Sequence, residues 1–466
     1  MKPNKDKLCM WPDANKFLIF LPLLLQLLGD VIGTSDDITN IWYFGCRWFG
    51  GSTNMLSCNC TPEAEEMDIQ RYSIPGFDTS IIQLHNCAKV RFGAYAVYDL
   101  RNLRTISLNN IQSLTFEPYS LQWVGYRDTS ITQEERFDLS IPSLKISVKD
   151  STVESIGSYS FTGRINEISF ENVRVENVEA FAFSSLLQME NLLFTNVWLK
   201  EIKPQAFKKF GTEFLTLDGV VADYLPSRTF SNVTVYRTFT IRNCRFHTLR
   251  PGTFIINNPT AFAVTNTEIH QLEGEAFLLS TTGDVLFRNN IFNNVQDHAF
   301  MGITLNGNEV TSSRAINFDA NTFGRLDRRA LDVRPQFQAR VSNLNLNQTC
   351  DCENIVEKLR QSEFYNEISC LDADQYVTVR DFKAQNCSIL SGHYTTVIIV
   401  CVLILVISIV AIAFYVYYAM VYKRQKYGCG KGGKPPLSLI VPDGRTYKET
   451  ELHVIVEKAD LLTTDL

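Results

Sequence analysis

Apolar and polar positions recur along the middle of the chain in lines of about 23 residues. In one line, residues 239–254 (FTIRNCRFHTLRPGTF), apolar side chains stand at fixed offsets from the first residue. The lines before and after it repeat these offsets. A fixed period of about 20 to 50 residues is typical of solenoids, in which each repeat buries its apolar edge against its neighbours. The pattern therefore predicts a solenoid over residues 144–335.

Each line begins with a short strand. The first residue and the residue two places later are both apolar, and this alternation indicates a strand with one buried face. The strand starts are Ile146, Ile168, Leu192, Leu215, Phe239, Phe262, Val285 and Ile316. Successive starts are 22 to 24 residues apart, except for a last interval of 31, which predicts an inserted loop around residues 305–313. Ten residues after each start another apolar position follows, and five residues later a position that is mostly phenylalanine.

Two groups of four cysteines flank the repeats: Cys46, Cys58, Cys60 and Cys87, and then Cys350, Cys352, Cys370 and Cys387. In a secreted chain such groups indicate disulfides, and the C-x-C spacing is not the usual gap between zinc ligands. Three connectivities are open for each group. Cys87 also fits the repeat pattern, so it is either the fourth cap cysteine, which we favour, or a residue of a first repeat.

The pattern resembles the extracellular leucine-rich repeat, LxLxxNxLxxLxxxxF, and the cysteine groups resemble that family's caps, over roughly residues 46–390. The resemblance implies a horseshoe with a parallel sheet on its concave side and irregular or short-helical turns on its convex side. Only Asn290 and Asn321 keep the family's asparagine, although Cys244 is an accepted substitute. The valines of that column cannot hydrogen-bond: Val173, Val197 and Val220. A variant similar to a parallel β-helix therefore stays open.

Two apolar blocks lie outside the repeats. Residues 17–33 follow four lysines and precede small residues, which predicts a secretory signal peptide. Residues 395–420 carry no charge and are long enough to cross a bilayer as a helix. Basic residues without acids follow that block, so the positive-inside rule assigns its C-terminal end to the cytoplasm. We expect a single-pass type I protein of the plasma membrane, with its N-terminus outside the cell.

These signals divide the chain into seven segments. They are a signal peptide (1–34), an N-terminal cysteine cap (35–90), weak or irregular repeats (91–143), leucine-rich-like repeats (144–335), a C-terminal cysteine cap (336–392), a transmembrane helix (395–420) and a cytoplasmic tail (421–466).

Composition and side-chain chemistry narrow the function. The 44 basic and 50 acidic residues argue against a nucleic-acid-binding protein, which would carry a basic surface. We find no catalytic constellation and expect no cofactor. His247 and His270 occupy the same repeat position and should stack about 5 Å apart, but no carboxylate is expected to join them as a metal ligand. Four asparagines match the N-glycosylation signal: Asn59, Asn232, Asn347 and Asn386.

The predicted tail carries two recruitment signals. Thr464, Asp465 and Leu466 match a ligand of PDZ domains, which bind the terminal carboxylate through backbone N–H groups and the last side chain in a pocket. Cys429 is a juxtamembrane cysteine and a candidate for palmitoylation. The segment GCGKGGK lacks the strand and the hydroxyl residue of a phosphate-binding loop, so nucleotide binding is not predicted.

The strand face that the repeats leave free is the predicted binding surface. Its candidate residues are Lys149, Glu171, Arg242, Arg288 and Asp319. We expect a receptor or adhesion molecule that binds an extracellular protein and recruits a PDZ scaffold, and not an enzyme. One alternative is an accessory subunit or co-receptor that regulates another membrane protein. Another is a β-helix enzyme acting on polysaccharide, which would need clustered aspartates. A homo-oligomer cross-linked through Cys244 would require that thiol to be exposed.

Overall fold

The computed structural model describes residues 45–51, 54–60, 66–74, 78–124, 143–187, 189–306, 314–360, 362, 364–387 and 393–426. The chain divides into two units, Met1–Ser391 and Gly392–Leu466. The predicted signal peptide, Cys429 and the C-terminal residues 464–466 lie outside the described residues.

The first unit is a parallel β-solenoid of about 12 turns. Its strands, numbered in chain order, form three parallel sheets that the chain visits in succession on most turns. The first sheet contains β2 (Met55–Asn59), β4 (Ile81–His85), β6 (Thr105–Asn109), β9 (Leu144–Lys149), β11 (Phe161–Val178), β13 (Met189–Ile202), β14 (Phe207–Asp218), β16 (Phe230–Arg242), β19 (Ala261–Thr265), β22 (Val285–Arg288), β25 (Arg314–Asp319) and β27 (Phe337–Ser342).

The second sheet also runs from end to end of the unit. It contains β3 (Met67–Ile69), β5 (Lys89–Phe92), β7 (Ser113–Phe116), β10 (Thr152–Ile156), the C-terminal parts of β11 and β13, β15 (Val221–Leu225), β17 (Arg245–Leu249), β20 (Glu268–Leu272), β23 (Ile291–Val295), β26 (Thr322–Leu326), β28 (Leu344–Thr349) and β29 (Ile368–Asp372). The third sheet is shorter. It contains β8 (Leu121–Trp123), the N-terminal parts of β11, β14 and β16, β12 (Phe183–Leu187), β18 (Phe254–Asn257), β21 (Phe277–Thr281) and β24 (Ile303–Leu305).

The predicted strand starts form one continuous row of the first sheet. Ile146 pairs with Ile168, and the row continues in register through every predicted start to Ile316. The row extends in the other direction through Ile106 to Ile82. All of these side chains are buried, because alternate residues of a strand point to the same side of the sheet. The predicted strand positions are confirmed.

The expectation of irregular or short-helical turns is wrong for one side of the solenoid, where the chain forms the third sheet. Its strands place the predicted phenylalanine position of each turn in one buried column. Neighbouring ring centroids are 4.3 to 5.5 Å apart along Phe161, Phe183, Phe207, Phe230, Phe254 and Phe277. Parallel strands lie about 4.8 Å apart, so flat aromatic rings stack at the spacing that the backbone imposes.

The corner between the first and second sheets is built by residues with a left-handed backbone. Asparagine occupies most of these positions: Asn86, Asn110, Asn172, Asn196, Asn243, Asn266, Asn289 and Asn343, with Asp150, Gly219 and Ala320 completing the column. Asparagine, aspartate and glycine tolerate this conformation best among the amino acids. At Gly219 a Cβ would come within 2.5 Å of the Asn196 Oδ1, so a larger residue there would have to displace the Asn196 side chain.

The residue that follows each left-handed corner residue is buried. These buried residues form the column in which the sequence pattern predicts asparagine. Asn290 and Asn321 hydrogen-bond within the column and to the carbonyl groups of Val264 and Phe287. Valine fills the same position on three turns without distorting the corner. The left-handed residue before it provides the bend, and its backbone N–H bonds the next turn, as from Gly219 to the Arg242 oxygen at 2.9 Å.

Disulfides close both ends of the solenoid. At the N-terminal end, β1 (Cys46–Phe49) pairs antiparallel with β2, and the bonds are Cys46–Cys58 and Cys60–Cys87. Cys87 serves as a cap cysteine and also occupies the buried column of the repeats. At the other end, β30 (Gln375–Thr378) pairs antiparallel with β29. The helical segments there are a π-helical turn (Cys352–Val356), α1 (Glu357–Leu359) and α2 (Val379–Asn386). The bond Cys352–Cys387 links the π-helical turn to the end of α2, and Cys350–Cys370 links the residue after β28 to β29.

The second unit contains one long helix, α3 (His393–Lys426). Within its span Thr396–Lys423 an 18-residue window has a mean hydropathy of 3.5, and the apolar side chains along the span are exposed. By length and composition the helix could cross a membrane.

Candidate binding surfaces of the solenoid

The outer face of the first sheet carries the predicted binding residues in one row. Because successive turns stay in register, the outward residue at the end of each strand lies beside its counterpart on the next turn. This charged row contains Lys149, Glu171, Thr195, Asp218, Arg242, Thr265, Arg288 and Asp319. The adjacent row carries short side chains on most turns, including Ser147, Ser169, Thr216, Thr240 and Ala263.

Ion pairs neutralise the charged row from within. The pairs are Lys149–Glu171 at 2.7 Å, Asp218–Arg242 at 2.9 Å and Arg288–Asp319 at 3.0 Å. The hydrogen bond from the Ser342 hydroxyl and the charge of Arg288 hold the pKa of Asp319 below its usual range. The hydrogen bond to Glu171 raises the pKa of Lys149. Each charge has an opposite partner on the neighbouring strand, so the row offers a ligand little uncompensated charge.

An exposed apolar patch lies where the third sheet passes into the first. This corner patch consists of Phe214 and Tyr236. Phe214 and Tyr236 are 38% and 55% exposed and belong to β14 and β16, which are neighbours in the sheet. The Tyr236 ring lies on Gly211, where a Cβ would come within 2.8 Å of it. The glycine therefore lets the ring lie flat against the backbone.

An ion pair borders the corner patch. Glu213 precedes Phe214, Arg237 follows Tyr236, and the two charged groups are 3.2 Å apart. Both side chains are well exposed. Aromatic residues and arginine are enriched at protein–protein interfaces, where a polar rim surrounds an apolar centre. The sequence pattern did not indicate this patch, because its residues fall at corners where the alternation of the strands breaks.

The predicted histidine stack is confirmed on the second sheet. The ring centroids of His247 and His270 are 4.6 Å apart with planes inclined by 10°. In contrast to expectation, a carboxylate joins their row, since Asp223 lies in register with His247. Asn293 lies on the other side, with its Nδ2 3.2 Å from the Nδ1 of His270. Among the described residues, no group of three or more His, Cys, Asp and Glu side chains is arranged to hold a metal.

Cys244 is a buried column residue. Its side chain is 3% exposed, and its thiol donates to the Arg242 carbonyl at 3.1 Å. Burial raises the pKa of this thiol to about 12, so the reactive thiolate is scarce at neutral pH. The column position thus opposes a cross-link between two chains through Cys244.

The four glycosylation signals lie at separate places on the solenoid. All four asparagines are exposed, and Asn232 lies in the third sheet. Asn59 and Asn386 each precede a disulfide cysteine of a cap. Asn232 has its Oδ1 bonded by the Asn257 amide at 3.1 Å. Between the second and eleventh turns, the outer face of the first sheet carries no such signal among the described residues.

A stack of aromatic rings at the corner between the second and third sheets was not predicted. Tyr95, Tyr119, Tyr159 and Phe181 have left-handed backbones and ring centroids 5.2 to 5.6 Å apart. The Lys208 ammonium covers the last ring, 4.5 Å from its centroid. The faces of the inner rings are covered by their neighbours, so the stack exposes mainly ring edges and hydroxyl groups. The sequence signal for this stack is an aromatic residue at a fixed offset after the second-sheet strand on these four turns.

Comparison with known proteins assigns no family. The chain matches no protein-family model and no curated protein.

Proposed function

We propose that this chain is a cell-surface binding protein whose first sheet and corner patch bind a protein partner. The observation that carries the proposal is the exposure of Phe214 and Tyr236 beside a face whose charges are already paired. An exposed apolar patch with a polar rim marks protein interaction sites. The hydrogen-bonded strands hold the patch rigidly, which lowers the entropy lost on binding.

The anchoring of the chain in a membrane is part of the proposal. Disulfides persist in oxidising compartments, and four of them close the solenoid. The helix α3 is long and apolar enough to cross a bilayer, and basic residues follow its apolar span. These features support a solenoid outside the cell and a cytoplasmic tail. The leucine-rich-repeat resemblance is not needed for this proposal.

The double substitution Phe214→Ser and Tyr236→Ser is expected to weaken partner binding at least tenfold. Each aromatic residue at the centre of an interface commonly contributes about 2 kcal/mol or more. Cells displaying the full chain are first screened against a library of fluorescent membrane-protein ectodomains. Each partner found is then titrated on cells displaying the double variant.

The matched control is Tyr224→Ser, which removes an aromatic side chain that is 48% exposed on the second sheet. Binding by this control should equal that of the unchanged chain. An absence of partners in the screen argues against the proposed function, as does an equal loss in the control and the double variant. Mixing displaying cells with partner-bearing cells then separates adhesion between cells from association within one membrane.

Deletion of Leu466 is expected to remove PDZ-domain proteins from the set of tail partners. The pocket of such a domain takes the last side chain, and the carboxylate must follow it directly. Proximity labelling from the tail in cells compares the full chain with the deletion and with Leu466→Val, which keeps an apolar terminus. An unchanged partner set after the deletion would contradict scaffold recruitment through residues 464–466.

A further inference from the structure

The second sheet carries a groove that the first-sheet proposal does not use. A cavity of about 460 Å³ is bordered by Asn243, Asn266, Asn289, Arg245, Glu268 and Ile291. A smaller cavity of about 160 Å³ shares Arg245 and Glu268 with it and adds Asp223, His247 and His270. We refer to both together as the amide groove. The larger cavity falls in the range of roughly 300–1,000 Å³ that small-molecule sites occupy.

Three asparagine side chains line the groove because of the corner geometry. Asn243, Asn266 and Asn289 have φ values of 55°, 50° and 54°, and their backbone N–H groups all bond the following turn at 3.0 Å. The backbone is thus satisfied without the side-chain amides. The amides occupy one row at the spacing of the turns.

The hydrogen bonds between neighbouring asparagine amides are interrupted inside the groove. Asn243 donates to Asp218 at 2.8 Å and Asn266 donates to Asn243 at 3.4 Å. Within the part of the chain that is described, no side-chain hydrogen bond joins Asn289 to Asn266. The Asn266 oxygen and the Asn289 amide are therefore exposed, and among the described residues no side chain or backbone group bonds them. An amide offers two donors and one carbonyl acceptor.

An ion pair and an apolar side chain complete the lining of the groove. Arg245 and Glu268 form an exposed ion pair at 3.1 Å, and Ile291 provides an apolar surface that is 46% exposed. With neutral histidines, Arg245, Glu268 and Asp223 sum to a charge of about −1. That balance disfavours sulfated, phosphorylated or carboxylated ligands. Planar amides and a guanidinium–carboxylate pair suit hydroxyl groups, each of which both donates and accepts.

We propose that the amide groove binds a neutral saccharide. Adjacent hydroxyls of a pyranose ring bond the Asn266 and Asn289 amides and the Arg245–Glu268 pair, while the C–H face of the ring packs on Ile291. The site lies at the corner between the first and second sheets and on the adjoining strands of the second sheet, away from the corner patch. A free oligosaccharide and the neutral glycan of a glycoprotein present the same chemistry.

Saturation-transfer NMR tests the proposal on the full chain in detergent micelles, after endoglycosidase removal of its own glycans. The probes are lactose, mannobiose, chitobiose and maltose, together with a high-mannose ribonuclease before and after glycosidase treatment to separate the two sources. At least one sugar should give a transfer signal, and Asn266→Gly should lower its affinity at least fivefold. Glycine keeps the left-handed corner and removes only the amide.

The control is Asn172→Gly, the same change in the same corner column outside the groove. This variant should bind sugar as the unchanged chain does. A failure of every sugar to give a signal overturns the proposal, as does an equal loss in Asn172→Gly and Asn266→Gly. Acetyl-tetra-alanine amide is included as a peptide probe. Transfer to this peptide alone would overturn the saccharide assignment in favour of a peptide site.

Discussion

Replacement of Phe207 by alanine is expected to lower the free energy of unfolding of the solenoid by about 3 to 5 kcal/mol. The Phe207 side chain is 1% exposed, and its ring centroid lies 4.5 Å from that of Phe183 and 4.3 Å from that of Phe230. Alanine leaves a gap in the middle of the phenylalanine column. The strands on both sides cannot close it, because backbone hydrogen bonds fix their spacing.

Urea unfolding of the full chain in detergent micelles measures this loss, and hydrogen exchange locates it. Each turn contacts mainly its neighbours, so protection should fall first in β12, β14 and β16. The control is Phe214→Ala, which truncates an exposed phenylalanine of the same strand and should cost about 1 kcal/mol or less. Equal losses for the two variants would show that the column contributes no special stability.

The Asn321→Leu variant is expected to lose about 3 to 6 kcal/mol, because three buried hydrogen bonds are removed at about 1 to 3 kcal/mol each, less any relaxation. Asn321 is fully buried. Its Oδ1 accepts from the backbone N–H and the Nδ2 of Asn290, both at 3.0 Å. Its own amide donates to the Phe287 oxygen at 2.9 Å. Leucine fills the space but satisfies none of these groups.

The same unfolding experiment with Asn293→Leu provides the comparison. Asn293 is half-buried on the second sheet, and its amide makes one exposed side-chain contact, with His270 at 3.2 Å. We expect a change within about 0.5 kcal/mol. A loss in Asn321→Leu no larger than in this control would mean that the inner column acts only by filling volume.

The strands of the first sheet could be predicted because burial and register act on the same residues. A buried residue at the start of one strand, such as Phe239, must lie beside an apolar residue on each neighbouring turn, Leu215 and Phe262. That requirement repeats the apolar pair along the chain. The stacking of His247 and His270 followed from the same register.

The third sheet escaped prediction because register shifts hide its alternation. In β16 the shift falls between Phe230 and Val233, so the buried residues there are not spaced by two. In β18 and β21 the alternation is intact, as Phe254 and Ile256 are both buried. Aligning the turns on those two strands would have indicated a third sheet.

The asparagine that shapes the corner stands one residue before the asparagine position of the leucine-rich-repeat pattern. The left-handed position holds Asn172 and Asn196 on turns whose next residue is Val173 or Val197. The valines therefore need no hydrogen-bonding side chain. The corner patch and the amide groove could not be predicted, because both depend on which side chains meet between turns at the corners.

The two largest changes in chain length fall at one edge of the solenoid. Residues 125–142 lie between β8 and β9, and residues 307–313 lie between β24 and β25. Each segment is preceded by a strand of the third sheet and followed by a strand of the first, and the turns on either side keep their register, as Ile106 with Ile146 and Val285 with Ile316 show. This edge also carries the corner patch. Segments can therefore be lengthened or exchanged here during evolution or by grafting while the stacking of the turns is preserved.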